Sequence, residues 1–310
     1  MISVILPTVR PNTLGATVSA IRRQTYDDWE LVIVAQGQDQ QLRTVTQELT
    51  QSDSRVRVIW LERGNLSAAR NAGVEASRGD VLAFTDDDCE PEAGWLAEIA
   101  RIFQMQPEIG YLGGEVVAPP AKPRWSISTC PSAQVSDVTY QPSKSDYRAP
   151  NGFYMIGANF AMRRSVFERV GQFDPCMGAG TDYGSCEDVD YTLRAEHLDV
   201  GFMTTKRLVV HHTYGRRYGL RAFLKHHRNY ARGRGALLIK LNWMKHRLAG
   251  EWGGPRRVTD LAKSLVHNPA RFLLNDVYGR FHVTQAQKSF ATEYELGSDG
   301  LCVPRAKPAG

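Results

Sequence analysis

The sequence has 310 residues, of which 42% are hydrophobic, and its formal net charge is +5. A chain of this length buries one large core, or one core with an appendage. No run reaches the roughly 18 consecutive apolar residues of a membrane-spanning helix, so we expect a soluble or surface-bound protein and exclude an integral membrane one.

Five cysteines are scattered along the chain and form no CxxC pair. An odd, dispersed set is typical of reduced thiols rather than of a disulfide framework. Met1 leads directly into an apolar run without a positively charged leader. We therefore expect a cytoplasmic protein.

The first third of the sequence alternates short apolar runs with amphipathic segments. Strands are predicted at residues 2–6, 31–34, 56–61 and 81–84, and helices at residues 14–24, 42–49 and 66–76. The first strand is expected to stop at Pro7. This alternation predicts an α/β fold with a mostly parallel sheet and helices on both faces. Ligands of such folds bind beyond the carboxyl ends of the strands.

The later segments continue this pattern less regularly. Strands are predicted at residues 110–117, 155–162 and 207–210, and helices at residues 165–170 and 187–197. Residues 119–150 are rich in Pro, Ser and Lys, and we interpret them as a mobile lid or acceptor loop. We divide the chain into an α/β domain at residues 1–215, with halves at about 1–117 and 118–215, and a helical extension at residues 216–310.

Positive charge is concentrated in this extension. Residues 206–257 carry fourteen Lys and Arg and a single acid, a balance of +13, so the rest of the chain carries −8. An apolar helical stripe runs through Leu237, Leu241, Met244 and Leu248, with Lys240 off the stripe. The charge balance predicts an anionic partner, which could be a membrane surface, a nucleotide, a nucleic acid or an anionic polymer. With the apolar stripe, we predict peripheral binding to an anionic membrane at the inner face of the cell. The alternative is a helix packed on the catalytic domain with solvated lysines.

Three adjacent carboxylates, Asp86, Asp87 and Asp88, directly follow the apolar run at residues 81–84. Like charges at the end of a buried strand repel one another unless a cation relieves them. Because alternate side chains of an extended segment point the same way, Asp86 and Asp88 can converge on one divalent ion. The alternative is a solvated acidic turn, or a cap for the helix that begins near Trp95.

Several segments together carry a resemblance. They are SVILPT at 3–8, QTYDDWELVIV at 24–34, GNLSAARNAG at 64–73, GDVLAFTDDDC at 79–89, GQFDP at 171–175, CEDVDYTLR at 186–194 and VVHH at 209–212. In this order the sequence resembles the family 2 glycosyltransferases of the GT-A fold over residues 2–215. The resemblance implies a nucleotide-sugar donor, a Mg²⁺ or Mn²⁺ ion, and inverting transfer to an acceptor hydroxyl.

The resemblance also implies metal ligands. Asp88 is the first ligand, while Asp86 and Asp87 share contacts with the metal and the ribose. His212 corresponds by spacing to a third ligand, and His211 is the alternative. An imidazole ligand beside carboxylates favours Mn²⁺ over Mg²⁺.

Catalytic and donor-binding residues follow from the same resemblance. Asp188 is implied as the general base that takes the acceptor proton, and Glu187 as a residue that orients the acceptor. Glu187 and Asp190 are the alternatives for the base. The implied nucleotide-sugar contacts are Thr8, Arg10, Gln36, Arg63, Arg70, Asp86 and Asp87. Two tryptophans, Trp95 and Trp125, are candidate sugar-stacking platforms, although a core position is the stronger prediction for Trp95.

Two departures limit what the resemblance implies. Gln36 stands near the place where many members carry an aspartate that contacts the nucleotide base, so the donor nucleotide stays open. The QxxRW signature of processive synthases is absent from the sequence, which favours transfer of a single sugar to a carbohydrate or lipid-linked acceptor.

Two other functions are the alternatives. One is a nucleotidyltransferase of the same fold, although a Gly-rich phosphate loop is not evident near residue 10. The other is a basic module that binds nucleic acid or membrane on a catalytically weak fold. Because no nucleic-acid-binding motif frames the basic residues, nucleic acid is not expected as a partner.

Overall fold

The computed structural model describes residues 1–124, 126–146, 148–153, 155–244 and 278–306. The chain divides into two compact units. The first comprises Met1–Phe173 and Asp188–Gly219, and the second comprises Asp174–Glu187 and Leu220–Gly310. The second unit therefore takes in a short internal segment as well as the C-terminal part of the chain.

The first unit begins with alternating strands and helices. These are β1 (Ile2–Thr8), α1 (Pro11–Arg22), β2 (Trp29–Gln36), α2 (Gln40–Ser52), β3 (Val56–Leu61), α3 (Leu66–Ala76), β4 (Val81–Thr85), β5 (Glu90–Pro91) and α4 (Trp95–Met105). Pro7 lies inside β1, where it pairs with Val34 of β2, so the expectation that it ends the strand is wrong.

The chain then continues with β6 (Ile109–Val117), β7 (Ser128–Thr129), β8 (Val138–Tyr140), a 3-10 turn (Ser143–Ser145), β9 (Asn159–Arg163), α5 (Arg164–Val170), α6 (Glu187–His197), β10 (Gly201–His211) and β11 (Arg217–Tyr218). The segment predicted as one long loop thus holds two short strands. β8 pairs with β10, and β7 pairs with β11.

Within the described residues the main sheet has nine strands, in the order β3-β2-β1-β4-β9-β6-β10-β5, with β8 added beside β10. β1 runs parallel to β2 and β4, and β10 runs parallel to β6. β9 is antiparallel to both β4 and β6. Hence β1, β4, β6 and β10 share one direction, and their carboxyl ends meet at one edge of the sheet.

Successive side chains of a strand point to opposite faces of the sheet, and in the buried strands both sets are apolar. Helices therefore cover both faces. In β1, Val4 and Leu6 belong to the core beneath α1, α2 and α4, whereas Ile5 belongs to the core beneath α3, α5 and α6. Each fully buried aliphatic side chain contributes roughly 1.5–3 kcal/mol to folding. The expected α/β architecture with a central sheet is confirmed.

Capping residues place helix N-termini close to the strand ends. Asp39 accepts a hydrogen bond from the N–H of Leu42 at the start of α2, and Asn65 accepts one from the N–H of Ala68 at the start of α3. Pro11 stands at the first position of α1, where no helical partner for its nitrogen is needed. These short connections hold the segments after β1, β2 and β3 in fixed conformations.

The second unit contains α7 (Leu220–Trp243), α8 (Arg280–Glu293), β12 (Tyr294–Leu296) and β13 (Cys302–Pro304). Leu237 and Leu241 of the predicted apolar stripe are buried inside the unit, and Leu248 lies outside the described residues. Lys240, predicted off the buried stripe, is itself fully buried, with its Nζ 2.6 Å from Oδ2 of Asp174. No helix among the described residues combines the length and apolar character needed to cross a membrane.

Candidate active site

The carboxyl ends of β1 and β4 bring the first predicted residues together. Because these strands are parallel neighbours, Thr8 reaches the acidic segment, and its Oγ1 donates a 2.7 Å hydrogen bond to Oδ2 of Asp87. Arg10 contacts both Asp87 and Asp88: its Nη1 lies 2.7 Å from Oδ2 of Asp88, and its Nη2 contacts Oδ1 of Asp87. The guanidinium thus neutralises two buried acids.

His212 approaches Asp88 from the end of β10. Its Nε2 lies 3.0 Å from Oδ1 of Asp88, and its Nδ1 lies 2.9 Å from the carbonyl oxygen of Pro131. A carbonyl only accepts hydrogen bonds, so Nδ1 carries a proton and Nε2 is the nitrogen turned toward the carboxylate. This arrangement is typical of histidines that ligate metals, where the second nitrogen is fixed by a backbone carbonyl.

Electrostatics reinforce this pair. Burial alone would raise the pKa of the Asp88 carboxyl, but its hydrogen bonds to His212 and Arg10 hold it well below the usual range. Burial alone would lower the pKa of His212, but the hydrogen bond to Asp88 and those to two nearby thiols hold it above its ordinary value. In the absence of a metal, the two residues therefore form a buried ion pair.

The donor set fits a divalent ion. Among the described residues, Asp88, Cys89 and His212 form a group whose potential ligand atoms all lie within 4.8 Å of one another. Oδ1 of Asp88 and Nε2 of His212 lie 3.0 Å apart, so both could contact one ion once Nε2 has lost its proton. Burial raises the pKa of the Cys89 thiol to about 12, so it stays protonated in the free protein.

Asp86 and His211 occupy different surroundings from this pair. Asp86 is outside the group, with its Oδ1 3.8 Å from Nη2 of Arg70. Loss of water around its carboxyl raises the pKa of Asp86, and Arg70 opposes that rise. The side chain of His211 is 46% exposed and contacts Glu92 at 2.9 Å, so of the two histidines only His212 faces Asp88.

Arg70 links the acidic segment to Asp188. This arginine, on α3, is only 1% exposed, and its Nη2 donates a 3.1 Å hydrogen bond to the carbonyl oxygen of Gly157. The N–H of Gly157 in turn donates a 2.7 Å hydrogen bond to Oδ2 of Asp188. A short turn before β9 therefore connects the donor-side arginine with the predicted base. The sequence motifs gave no role to Gly157, although a Gly-Ala-Asn interruption of an apolar run marked the position.

Asp190 and Glu187, the two alternatives for the general base, have different surroundings from Asp188. Asp190 lies 3.0 Å from Nε of Arg194, one helical turn later on α6, and both side chains are buried. Glu187 belongs to the second unit, where it is buried close to Gly178. Asp188 differs from both in being partly exposed.

Two predicted donor contacts lie near the end of β2 and after β3. Gln36 is buried, and its Oε1 accepts a 2.7 Å hydrogen bond from the N–H of Asn65. Its amide nitrogen is the donor that this bond leaves for other partners. Arg63 is exposed to solvent.

Of the two tryptophans proposed as sugar platforms, the structure describes Trp95. Trp95 is buried and donates a 2.9 Å hydrogen bond from Nε1 to Oδ1 of Asn159, so it is a core residue. Trp125 lies outside the described residues.

The family can now be assigned. Residues 3–171, more than half of the chain, match the profile of Glycosyl transferase family 2. The chain belongs to this family. The family expected from the motifs is therefore confirmed, and the matched range contains the 86–88 segment, Arg70 and Gly157.

Two relatives from Haloferax volcanii illustrate the similarity. A glucosyl-dolichyl phosphate glucuronosyltransferase is 29% identical over 179 residues, which cover 56% of this chain and 55% of that enzyme. The glycosyltransferase AglE is 32% identical over 208 residues, which cover 66% of this chain and 63% of AglE. The aligned part thus spans little more than half of the first relative's length.

Two solved structures share the fold. The mannosyltransferase PcManGT from Pyrobaculum calidifontis, in complex with GDP-Man and Mn²⁺, matches 94% of this chain and 74% of its own, with a TM-score of 0.55 and 16% identity. Residues 1–349 of S. aureus TarS match 99% of this chain and 97% of their own, with a TM-score of 0.54 and 14% identity. These likenesses agree with the expected GT-A type of fold.

Proposed function

We propose that this family member transfers a single sugar from a nucleotide-sugar donor to an acceptor hydroxyl, with inversion at the anomeric carbon and with dependence on Mn²⁺ or Mg²⁺. The observation that carries the proposal is the Asp88–His212 pair, whose 3.0 Å separation and locked imidazole suit one divalent ion. The complex of PcManGT with GDP-Man and Mn²⁺ supports the same chemistry in a protein of similar fold.

Asp88 and His212 would hold the ion. The resemblance implies Asp86 as the third protein ligand, and its carboxylate would have to turn from Arg70, which lies 3.8 Å away, toward the other two ligands. A bound divalent ion stabilises the negative charge that develops on a departing nucleoside diphosphate. Asp87 is tied to Thr8 and Arg10, and we assign it to the ribose rather than to the ion.

The proposed donor site consists of residues at the same sheet edge together with Gln36 and Arg63. Arg10 and Arg70 carry guanidinium groups, which bind phosphate oxygens through paired hydrogen bonds. The amide of Gln36 can donate to a nucleotide base edge. The full set is Thr8, Arg10, Gln36, Arg63, Arg70, Asp86 and Asp87.

Asp188 is the proposed general base. In a single displacement, the acceptor oxygen forms a bond to the anomeric carbon as the bond to the diphosphate breaks, and inversion results. Asp188 takes the hydroxyl proton at the same time. Its carboxylate is oriented for this step by the N–H of Gly157, and Glu187 is proposed to orient the acceptor.

We propose a carbohydrate or lipid-linked acceptor and no nucleic-acid partner. One relative is a glucosyl-dolichyl phosphate glucuronosyltransferase, and the lipid-linked sugar in its name supports a lipid-linked acceptor here. Peripheral attachment to an anionic membrane would place the enzyme beside such an acceptor.

A thermal-shift screen of UDP, GDP, dTDP and CDP with Mn²⁺ tests the donor half of this proposal. We expect one diphosphate to raise the melting temperature with Mn²⁺ and not with EDTA. Hydrolysis of the corresponding nucleotide-sugars, followed by NMR of the anomeric configuration, tests the reaction. Absence of any metal-dependent nucleotide binding would contradict the proposal.

A further inference from the structure

A surface groove of about 370 Å³ lies next to the Asp88–His212 pair in the first unit. One wall is the segment after β6, with Pro119 and Lys122, and the other is the segment after β10, with Tyr214 and Tyr218. The first wall falls within residues 119–150, which the sequence predicts to be a mobile lid or acceptor loop. The second wall falls within the basic stretch at residues 206–257, which the sequence predicts to face an anionic partner.

Both walls start at the candidate active site. The N–H of His212 donates to the carbonyl oxygen of Val117 at 2.9 Å, so β6 and β10 are still paired where the walls begin. The N–H of Tyr214 then donates to the carbonyl oxygen of Asp88 at 3.3 Å. Gly215 packs against the imidazole, since a Cβ there would lie 2.1 Å from Nε2 of His212.

Hydrogen bonds hold the two walls in a defined relation. Arg216 donates from Nε to the carbonyl oxygen of Pro119 at 2.7 Å and from Nη1 to Oγ of Ser128 at 3.1 Å. The N–H of Lys122 donates to the hydroxyl of Tyr218 at 3.2 Å. The β7–β11 pair closes the end of the segment. The groove is therefore a built feature rather than a chance gap between two loops.

Its chemistry combines cations with exposed aromatic rings. Tyr214 and Tyr218 are 49% and 47% exposed, which suits them to stack on sugar rings. Residues 118–128 and 213–219 together contain four basic residues and no Asp or Glu. Of these, Lys122, Arg124 and Arg217 are exposed to solvent. A surface of this composition attracts an anion that carries a carbohydrate.

We propose that this groove is the acceptor subsite and that it binds a phosphate-bearing acceptor, with Lys122 contacting the phosphate and Tyr214 the adjoining sugar or alcohol. This inference rests on the proposed function and goes further by naming the acceptor's chemical class. Arg10 and Arg70 lie at the acidic segment itself, where they are assigned to the donor, so the cations of the groove are available to a second anion.

Binding is measured with Mn²⁺ and the nucleoside diphosphate selected by thermal shift both saturating, so that the donor site is occupied. The probes are farnesyl phosphate in neutral detergent micelles, glucose 1-phosphate and methyl glucoside. We expect both phosphorylated probes to bind at least tenfold more tightly than methyl glucoside. A preference for farnesyl phosphate over glucose 1-phosphate indicates a lipid-linked source of the phosphate, and equal affinity indicates a soluble one.

The variants are Lys122→Gln, Lys122→Arg and the double change Lys122→Gln/Arg217→Gln. We expect the double variant to weaken binding of both phosphorylated probes at least tenfold. Lys122→Arg, which keeps the charge, should retain most of the affinity that Lys122→Gln loses. Nucleotide affinity should stay within twofold in all three variants. Arg43→Gln, in a second surface groove beside Trp60, is the control and should change nothing.

Two results would overturn the inference. Equal binding of the charged and neutral probes would show that the groove does not recognise a phosphate group. Loss of nucleotide affinity in the Lys122 variants would show that the groove belongs to the donor site. Either result leaves the nucleotide thermal-shift response of the unaltered protein intact. Failure of the proposed function would instead abolish that response.

Discussion

The backbone N–H of Gly157 donates a 2.7 Å hydrogen bond to Oδ2 of Asp188. The other carboxylate oxygen, Oδ1, accepts a 2.8 Å hydrogen bond from the N–H of Val189. Because the carbonyl of Gly157 also accepts a hydrogen bond from Arg70, one peptide segment orients both the proposed base and a proposed donor contact. A residue with no functional side chain is therefore a positioning residue at this site.

Gly157→Ala should impair turnover far more than folding. A Cβ at this position would lie 2.6 Å from Nη2 of Arg70 and 3.2 Å from Oδ2 of Asp188, so both groups must shift. Gly157 does not have a positive φ, so the backbone itself accepts alanine. Displacement of an aligned group by about 1 Å costs on the order of 10²-fold in rate, and we expect kcat to fall by about that factor.

Gly15→Ala is the matched control, because nothing lies within 4 Å of the added Cβ on α1. It should leave kcat unchanged and raise stability slightly, since alanine favours helix more than glycine does. Melting curves of both variants separate misfolding from misalignment. Unchanged kcat in folded Gly157→Ala would show that the contact with Asp188 is incidental.

Chelation should abolish transfer, and Mn²⁺ or Mg²⁺ should restore it. Asp88→Asn removes one charged ligand and should lower activity by at least about 10²-fold. His212→Gln should weaken Mn²⁺ binding, measured by electron paramagnetic resonance of the free ion, whereas His211→Gln should not, since His211 contacts Glu92 instead. Full activity in EDTA would overturn the metal assignment.

The N-terminal half of the fold was readable from the sequence where pattern and capping agree. The predicted bounds of β3 and α3, 56–61 and 66–76, coincide with the structure, and Asn65 caps α3. β10 was predicted over only four residues. Its earlier part contains the buried residues Thr204 and Thr205. Their hydroxyls donate hydrogen bonds to the carbonyl oxygen of Ser136 and to Oδ1 of Asp137, so their burial leaves no hydroxyl unsatisfied. Polar residues satisfied inside a sheet hide a strand from hydrophobic patterning.

The sequence also indicated the acidic segment and the histidine at the site, because the order of the motifs and the spacing between them identify these residues. The contacts that orient them were not. His212 meets the carbonyl of Pro131 across 81 positions of sequence, and Arg10 meets Asp88 across 78. Such contacts depend on which strands are neighbours, a property that local pattern does not encode. Burial of Arg70 likewise depends on Phe160 and Phe173, whose rings lie 5.7 and 5.5 Å from its guanidinium.

Asp188→Asn should separate catalysis from binding. Asparagine keeps the shape of the side chain but cannot accept a proton from the acceptor, and loss of a positioned general base costs 10²–10⁴-fold in rate. We expect kcat to fall within that range while the nucleotide Kd stays within about threefold. Asp146→Asn, at an exposed turn, is the control. Parallel loss of nucleotide affinity would mean that Asp188 supports the donor site instead.

The basic face of α7 should bind anionic membranes electrostatically. Arg221, Lys225 and Arg228 are exposed at helical spacing, whereas Leu237 and Leu241 are buried, so attraction without insertion of that stripe is expected. Each basic residue near an anionic surface contributes about 1 kcal/mol. Changing all three to Gln should weaken co-sedimentation with phosphatidylserine vesicles by about 10²-fold and reduce its salt dependence. Equal, negligible binding to anionic and neutral vesicles would end the prediction.

Lys240→Met should destabilise the protein strongly, because it leaves Asp174 buried without its cation. Breaking a buried ion pair from one side costs roughly 3–5 kcal/mol. Burial opposes ionisation of Asp174, yet Lys240 holds the pKa of that carboxyl below its ordinary value. The stabilisation is therefore full above the unfolded pKa of about 3.9 and is lost as the pH falls through the lower folded pKa.

Chemical denaturation at pH 7 and at pH 3 measures both parts of this expectation. The deficit of Lys240→Met should be largest at pH 7 and should shrink at pH 3, where a protonated Asp174 no longer needs a cation. Asp174→Asn/Lys240→Met should recover part of the loss, because neither partner is then a buried charge. Lys225→Met, at an exposed position of the same helix, should change stability by less than about 0.5 kcal/mol. A deficit that stays constant with pH would show that the loss comes from packing around Lys240 and not from its charge.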